Sequence, residues 1–82
     1  MPTKDLEYYL SRHYPTLIDW IDEDQMYSVS VPLLSGLVVY DEQLTNALAE
    51  LIDAKREWLS TAIGRGINIP EPQETPVQGF VG

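Results

Sequence analysis

Apolar and polar positions alternate over Tyr27–Val31, where Tyr27, Val29 and Val31 are separated by Ser28 and Ser30. That period of two predicts a strand with one buried face and one face of small hydroxyls. Upstream, TLIDWI (Thr16–Ile21) is rich in β-branched and aromatic residues. Alternation there puts Leu17, Asp19 and Ile21 on one side and Ile18 and Trp20 on the other, so this strand is apolar on both faces. The polar break Asp22-Glu23-Asp24-Gln25 has hairpin length, which makes the two strands antiparallel neighbours. Pro32 cannot donate a ladder hydrogen bond and ends the second strand, Ser35-Gly36 supplies a residue able to take positive φ, and Leu37–Tyr40 resumes strand composition. The stretch YSVSVPLLSGLVVY therefore reads as two strands around a Pro32–Gly36 loop.

From Leu44 the period changes. Leu44, Ala47, Leu48, Leu51, Ile52, Lys55, Trp58, Leu59 and Ala62 follow helical spacing and predict one long amphipathic helix. Asp41 is the expected N-cap and Gly64 or Gly66 the expected C-cap. Lys4–Ser11 places Leu6, Tyr9 and Leu10 at helical spacing, enough for a short helix that needs docking to persist. After the long helix, Ile67–Pro72 (INIPEP) reads as extended chain, and residues 73–82 form a tail whose one strand-like piece is Gly79–Val81. The expected architecture is α+β: an antiparallel three-stranded meander crossed by one long helix, in a single domain over residues 1–72.

Charge narrows the classes of partner. The formal net charge is −8, and between His13 and Ala54 there is no Lys or Arg, while Asp19, Asp22, Glu23, Asp24, Asp41, Glu42, Glu50 and Asp53 all fall there. Nucleic-acid binding draws most of its affinity from Lys and Arg that displace counterions, so direct contact with DNA or RNA is not expected of this domain. Partners should be neutral or basic proteins, set against the plainer reading that surplus acid keeps a small protein soluble. With no cysteine there is neither a disulfide framework nor a thiolate metal site, which suits a reducing interior and points to the cytoplasm. No apolar run approaches the roughly 18 residues needed to span a bilayer. A core this small also suits self-association as a dimer or tetramer.

Several pieces stand in a recognisable order. DLEYYLS before the first strand, an acidic hairpin tip, a second strand ending in P-x-L-x-G, AKREWL within the helix and a closing G-I-x-I-P-E-P together resemble the HicB-like antitoxin family of bacterial toxin–antitoxin pairs. The resemblance covers Asp5–Pro72. Pro32, Leu34 and Gly36 fall on the family's P-x-L-P-G loop, with Ser35 where a second proline is usual. Ala47 and Leu48 match the helix-opening Ala-Leu, Trp58 and Leu59 the aromatic turn, and Ile69 to Pro72 the closing motif. Asp41-Glu42-Gln43 stands where Gly-Asp-Thr is common, and Thr45-Asn46 where Glu-Glu precedes Ala-Leu, so the helix start is expected to move toward Asp41. Relatives often continue into a ribbon-helix-helix or helix-turn-helix domain; if Gly82 is the native end, DNA-binding autoregulation is not expected.

The resemblance implies a partial RNase H-like fold that binds a small basic HicA-type ribonuclease toxin and covers its active site. The toxin-facing surface is expected at Asp22, Glu23 and Asp24 with Trp20 beside them, joined by Pro32, Leu34 and Gly36 of the loop. No cofactor, metal or catalytic residue is expected. A nuclease of this fold would hold Mg²⁺ between Asp19 and Glu50 or Asp53, but those helix residues belong to the polar face, pointing away from the sheet. His13, the single histidine, has no nucleophile at a recognisable spacing. The rival reading is a solitary scaffold or small-ligand regulatory module of the same fold.

Overall fold

The computed structural model describes residues 4–72. The elements are α1 (Leu6–Leu10), β1 (Leu17–Ile21), β2 (Met26–Ser30), β3 (Val38–Asp41) and α2 (Leu44–Arg65). The strands form an antiparallel sheet in the order β1-β2-β3, so the α+β meander with one long helix is the observed architecture. The strand-like piece expected at Gly79–Val81 lies outside the described residues.

Register fixes which residues share a face. Ile18, Val29 and Val39 lie in one row, and Trp20, Tyr27 and Asp41 in the next, on the side that α2 covers. Val29 is fully buried there, as the period-two pattern demands. Leu17, Ser30 and Val38, then Asp19, Ser28 and Tyr40, form the opposite face, which no element covers among the described residues.

The α2 helix packs on β2 and β3, and α1 packs on α2; neither helix packs on β1. Ala47, Leu51, Leu59 and Ala62 bury into the core with Val29, Val31, Leu34 and Leu37. Full burial of an aliphatic side chain such as Leu34 or Leu59 is worth about 1.5–3 kcal/mol. The helical stripe is narrower than its spacing predicts. Leu48 is 36% and Ile52 58% exposed, because only two of three strands lie beneath the helix.

Both ends of α2 differ from or refine expectation. The helix does not start near Asp41. Its N-cap is Gln43, with no side-chain capping bond, while Asp41 closes β3 and its carboxylate accepts the Gln43 N–H at 2.9 Å. At the other end Gly66, at φ 70°, is the C-cap, and the Ile67 N–H reaches back to the Ala62 carbonyl at 2.9 Å.

The chain's flanks are tied to each other. Helix α1 has an N-cap in Asp5, whose carboxylate accepts the Tyr8 N–H at 3.0 Å. The Tyr8 hydroxyl donates to Glu71 and the Lys4 ammonium pairs with the same carboxylate, each at 2.7 Å. The Tyr14 hydroxyl donates to the Pro70 carbonyl at 2.7 Å, while Ile69 is buried among the core residues. Lys4 and Tyr8 together hold the Glu71 carboxyl below its ordinary range. DLEYYLS and IPEP are thus two halves of one clamp, which gives their spacing a structural cause.

Candidate functional site

The acidic tip is a four-residue loop between Ile21 and Met26. Asp24 and Gln25 donate backbone N–H bonds to the Ile21 and Asp22 carbonyls at 3.2 and 3.3 Å, and Gln25 takes a positive φ of 54°. The Gln25 side-chain amide folds back on the Asp22 carbonyl at 2.7 Å. These bonds leave the Asp22, Glu23 and Asp24 side chains exposed. Beside the tip, Trp20 packs edge-on against Tyr27 with ring centroids 4.9 Å apart, and Trp20 remains 43% exposed.

An antiparallel meander brings the end of β3 to the same end of the sheet as this tip. Asp41 pairs with Tyr27, one position from the Ile21–Met26 pair that closes the hairpin. Asp41 and Glu42 then lead into α2, and Glu50 lies in its second turn. The Gln43 N–H and a hydrogen bond shared with Glu50 draw the Asp41 carboxyl below its ordinary range; the same hydrogen bond pushes the Glu50 carboxyl up. A polar recess lined by Met26, Tyr40, Asp41, Glu42, Gln43 and Asn46 completes this end. Sequence reading singled out the tip and missed Asp41, Glu42 and Tyr40 as its neighbours. Strand direction carries the signal: in a meander the third strand runs parallel to the first, so β3 ends at the end of the sheet where the first hairpin turns.

The loop residues grouped with the tip do not join it. The tip precedes β2 and Pro32–Gly36 follows it, so a whole strand, roughly 17 Å at the usual rise, separates them. Within the loop Leu34 is fully buried, so its side chain anchors the loop and has no surface to offer a partner. The Leu34 N–H donates to the Val31 carbonyl at 2.9 Å and the Leu37 N–H to the Leu34 carbonyl at 3.0 Å. Gly36 sits at φ 82°, and Pro32 is exposed. The Trp58 indole N–H donates to the Ser35 carbonyl at 2.9 Å, pinning the loop to α2. Next to this bond an open apolar groove of about 470 Å³ runs along Ala54, Trp58, Thr61 and Ile67.

Asp19 lies on the face away from α2, whereas Glu50 and Asp53 are exposed on the helix, so the carboxylates a two-element metal site would need are on different sides of the sheet. Among the described residues no group of three or more His, Cys, Asp or Glu is placed to hold a metal ion. His13 is exposed, and no described helix is long and apolar enough to cross a membrane. Set against known proteins, the chain matches no family model, no curated protein and no solved structure.

Proposed function

We propose that this protein is an antitoxin that works by binding, and that its partner is a small basic HicA-type mRNA-cleaving toxin whose active site it covers. The observation that carries the reading is the convergence of Asp22, Glu23, Asp24, Asp41 and Glu42 at one end of the sheet, inside a stretch of chain without Lys or Arg. Such an end attracts a cationic RNA-cleaving surface and repels RNA itself. Trp20 and Tyr27 beside it provide the aromatic contact area that binding hot spots use. The order of motifs from DLEYYLS to IPEP supplies the toxin's class. A site of action in the cytoplasm follows from the same reading, since the target of such a toxin is messenger RNA.

The test is co-expression with a small basic protein carrying one histidine, encoded beside this chain. Restored growth and co-purification are expected; failure of both refutes the reading. Reversing Asp22, Glu23 and Asp24 to Lys should slow association by roughly tenfold or more at low salt, the range typical of electrostatic steering. Unchanged association would remove the tip from the interface.

The groove beside Trp58 favours a second reading, a solitary scaffold or regulatory module that takes a small apolar ligand. Its volume is within the usual range for such sites, about 300–1,000 Å³. A fragment screen read by Trp fluorescence, with Trp58→Phe as control, separates the two.

A further inference from the structure

Among the described residues, strand β1 is an unpaired sheet edge. It stands first in the order β1-β2-β3, so the outer row of its N–H and C=O groups has no ladder partner among the described residues. Natural edges discourage pairing with proline, lysine, bulges or a covering element. β1 (LIDWI) has no proline or lysine and one charge, Asp19; it pairs with β2 residue for residue and is covered by neither helix. Leu17 is 58%, Ile18 46% and Trp20 43% exposed, so the edge is apolar on both faces. The short amino-terminal helix packs on α2 and leaves this strand uncovered.

Charge around β1 is distributed from head to tail. Arg12 and His13 precede the strand, and Asp22, Glu23 and Asp24 follow it. An antiparallel copy of the same segment brings each acidic end beside the other's basic end, twice over. A parallel copy would set like against like. We propose that β1 pairs with β1 of a second copy of this chain, antiparallel across a two-fold axis normal to the sheet, to make one six-stranded sheet. This inference does not require the toxin reading, although the acidic tip serves in both.

The same charges select the register. A two-fold axis normal to the sheet keeps faces together, so one residue opposes itself and its neighbours oppose residues of matching parity. An axis at Asp19 sets two carboxylates directly opposite, which is unfavourable. An axis at Trp20 lays Asp22 and Glu23 against Ile18 and Leu17, placing charge on apolar side chains. An axis at Ile18 sets one acid, Asp19, against an apolar residue, Leu17, where the Trp20 axis sets two; it places Trp20 against Thr16, and carries Glu23 and Asp24 to the level of the partner's His13 and Arg12. There the Arg12 guanidinium already lies over the Tyr8 ring, 5.2 Å from its centroid. Asp41 and Glu42, across the sheet from β1, remain open in this arrangement.

The chain has no cysteine, so a single introduced thiol reports unambiguously. Directly opposed Cβ atoms are about 4.5–5.5 Å apart, close to the span a disulfide bridges. Ile18→Cys should therefore cross-link to a covalent dimer under mild oxidation. Trp20→Cys, whose mate would lie on the order of 14 Å away along the strands, should not. Light scattering of the unmodified protein should give a dimer, and Ile18→Lys a monomer with unchanged far-UV circular dichroism. A monomer at every concentration tested overturns the proposal, as does equal cross-linking of the two thiols or a dimer indifferent to Ile18→Lys. A monomer whose Trp20 is shielded from acrylamide also overturns it, by showing a cover within the chain. If Ile18→Lys fails to fold, the comparison of the two cysteine variants still decides.

Discussion

Leu34 and Gly36 sit two residues apart in the same loop and are held by different physics. Leu34 is fully buried among Val31, Leu37 and the α2 residues, so its replacement removes apolar contacts and leaves a cavity. Leu34→Ala is expected to cost about 3 kcal/mol in urea-induced unfolding, near the low end of buried leucine truncations. Gly36 has nothing within 4 Å of where a Cβ would stand, so space does not explain it. Its φ of 82° does, because an L residue pays about 1–2 kcal/mol in that region. Gly36→Ala should therefore cost about 1 kcal/mol in the same measurement, and Gly36→Asn less, since asparagine tolerates positive φ. A cost for Gly36→Ala as large as that for Leu34→Ala would mean that the loop packs more tightly than its open surroundings indicate.

At the scale of elements, α2 is the longest and has the weakest start. Gln43 has the extended backbone of an N-cap, φ −114° and ψ 131°, but its side chain caps no backbone N–H, accepting only from the Asn46 side-chain amide at 3.4 Å, and the first turn holds no acid. A serine there can accept an orphan N–H of the first turn, so Gln43→Ser is expected to stabilise the fold by about 0.5–1 kcal/mol in urea unfolding. One turn on, Glu50 shares a hydrogen bond with Asp41, which pushes its carboxyl above the ordinary 4.5. A raised carboxyl pKa in the folded state means that the folded protein holds this proton more tightly than the unfolded chain. The stabilising share is present below 4.5 and is lost as pH rises through the higher folded value. Asp41, lowered, behaves in the opposite sense, its share being lost as pH falls. Glu50→Gln keeps a donor toward Asp41 at every pH, so its melting temperature should exceed that of the unsubstituted protein at neutral pH and converge with it in acid. The elements themselves were legible in sequence wherever one period ran unbroken, over Tyr27–Val31 and from Leu44 onward. The start of α2 was not, because Asp41 offers its carboxylate to a turn that ends a strand instead of to a helix. Leu48 and Ile52 read as core and are exposed, since spacing gives the direction of a side chain but not the width of the sheet beneath it.

For the whole molecule, the legible part of the candidate site was its charge and the illegible part its assembly. Counting residues located the cation-free stretch and the tip, yet it took the register of β2 and β3 to show that Asp41 and Glu42 stand at the same end, and that Pro32–Gly36 stands at the other. The consequence is a molecule whose like charges repel one another before any partner arrives. A net charge of −8 works against compaction, most of all where Asp22, Glu23, Asp24, Asp41 and Glu42 gather. Salt shortens the reach of that repulsion, from about 10 Å at 0.1 M to about 3 Å at 1 M. The melting temperature of the unsubstituted protein should therefore rise with sodium chloride, and the rise should persist at salt levels too low to strengthen hydrophobic burial. Reversing Asp22, Glu23 and Asp24 to Lys converts part of the repulsion into attraction toward Asp41 and Glu42, so this variant should melt higher at low salt and respond to salt less steeply. The same substitutions that slow capture of a basic partner thus stabilise the free protein. A scan of melting temperature against salt for both proteins checks this; parallel curves would show that the acidic end carries no self-repulsion and that its charges are held apart by solvent alone.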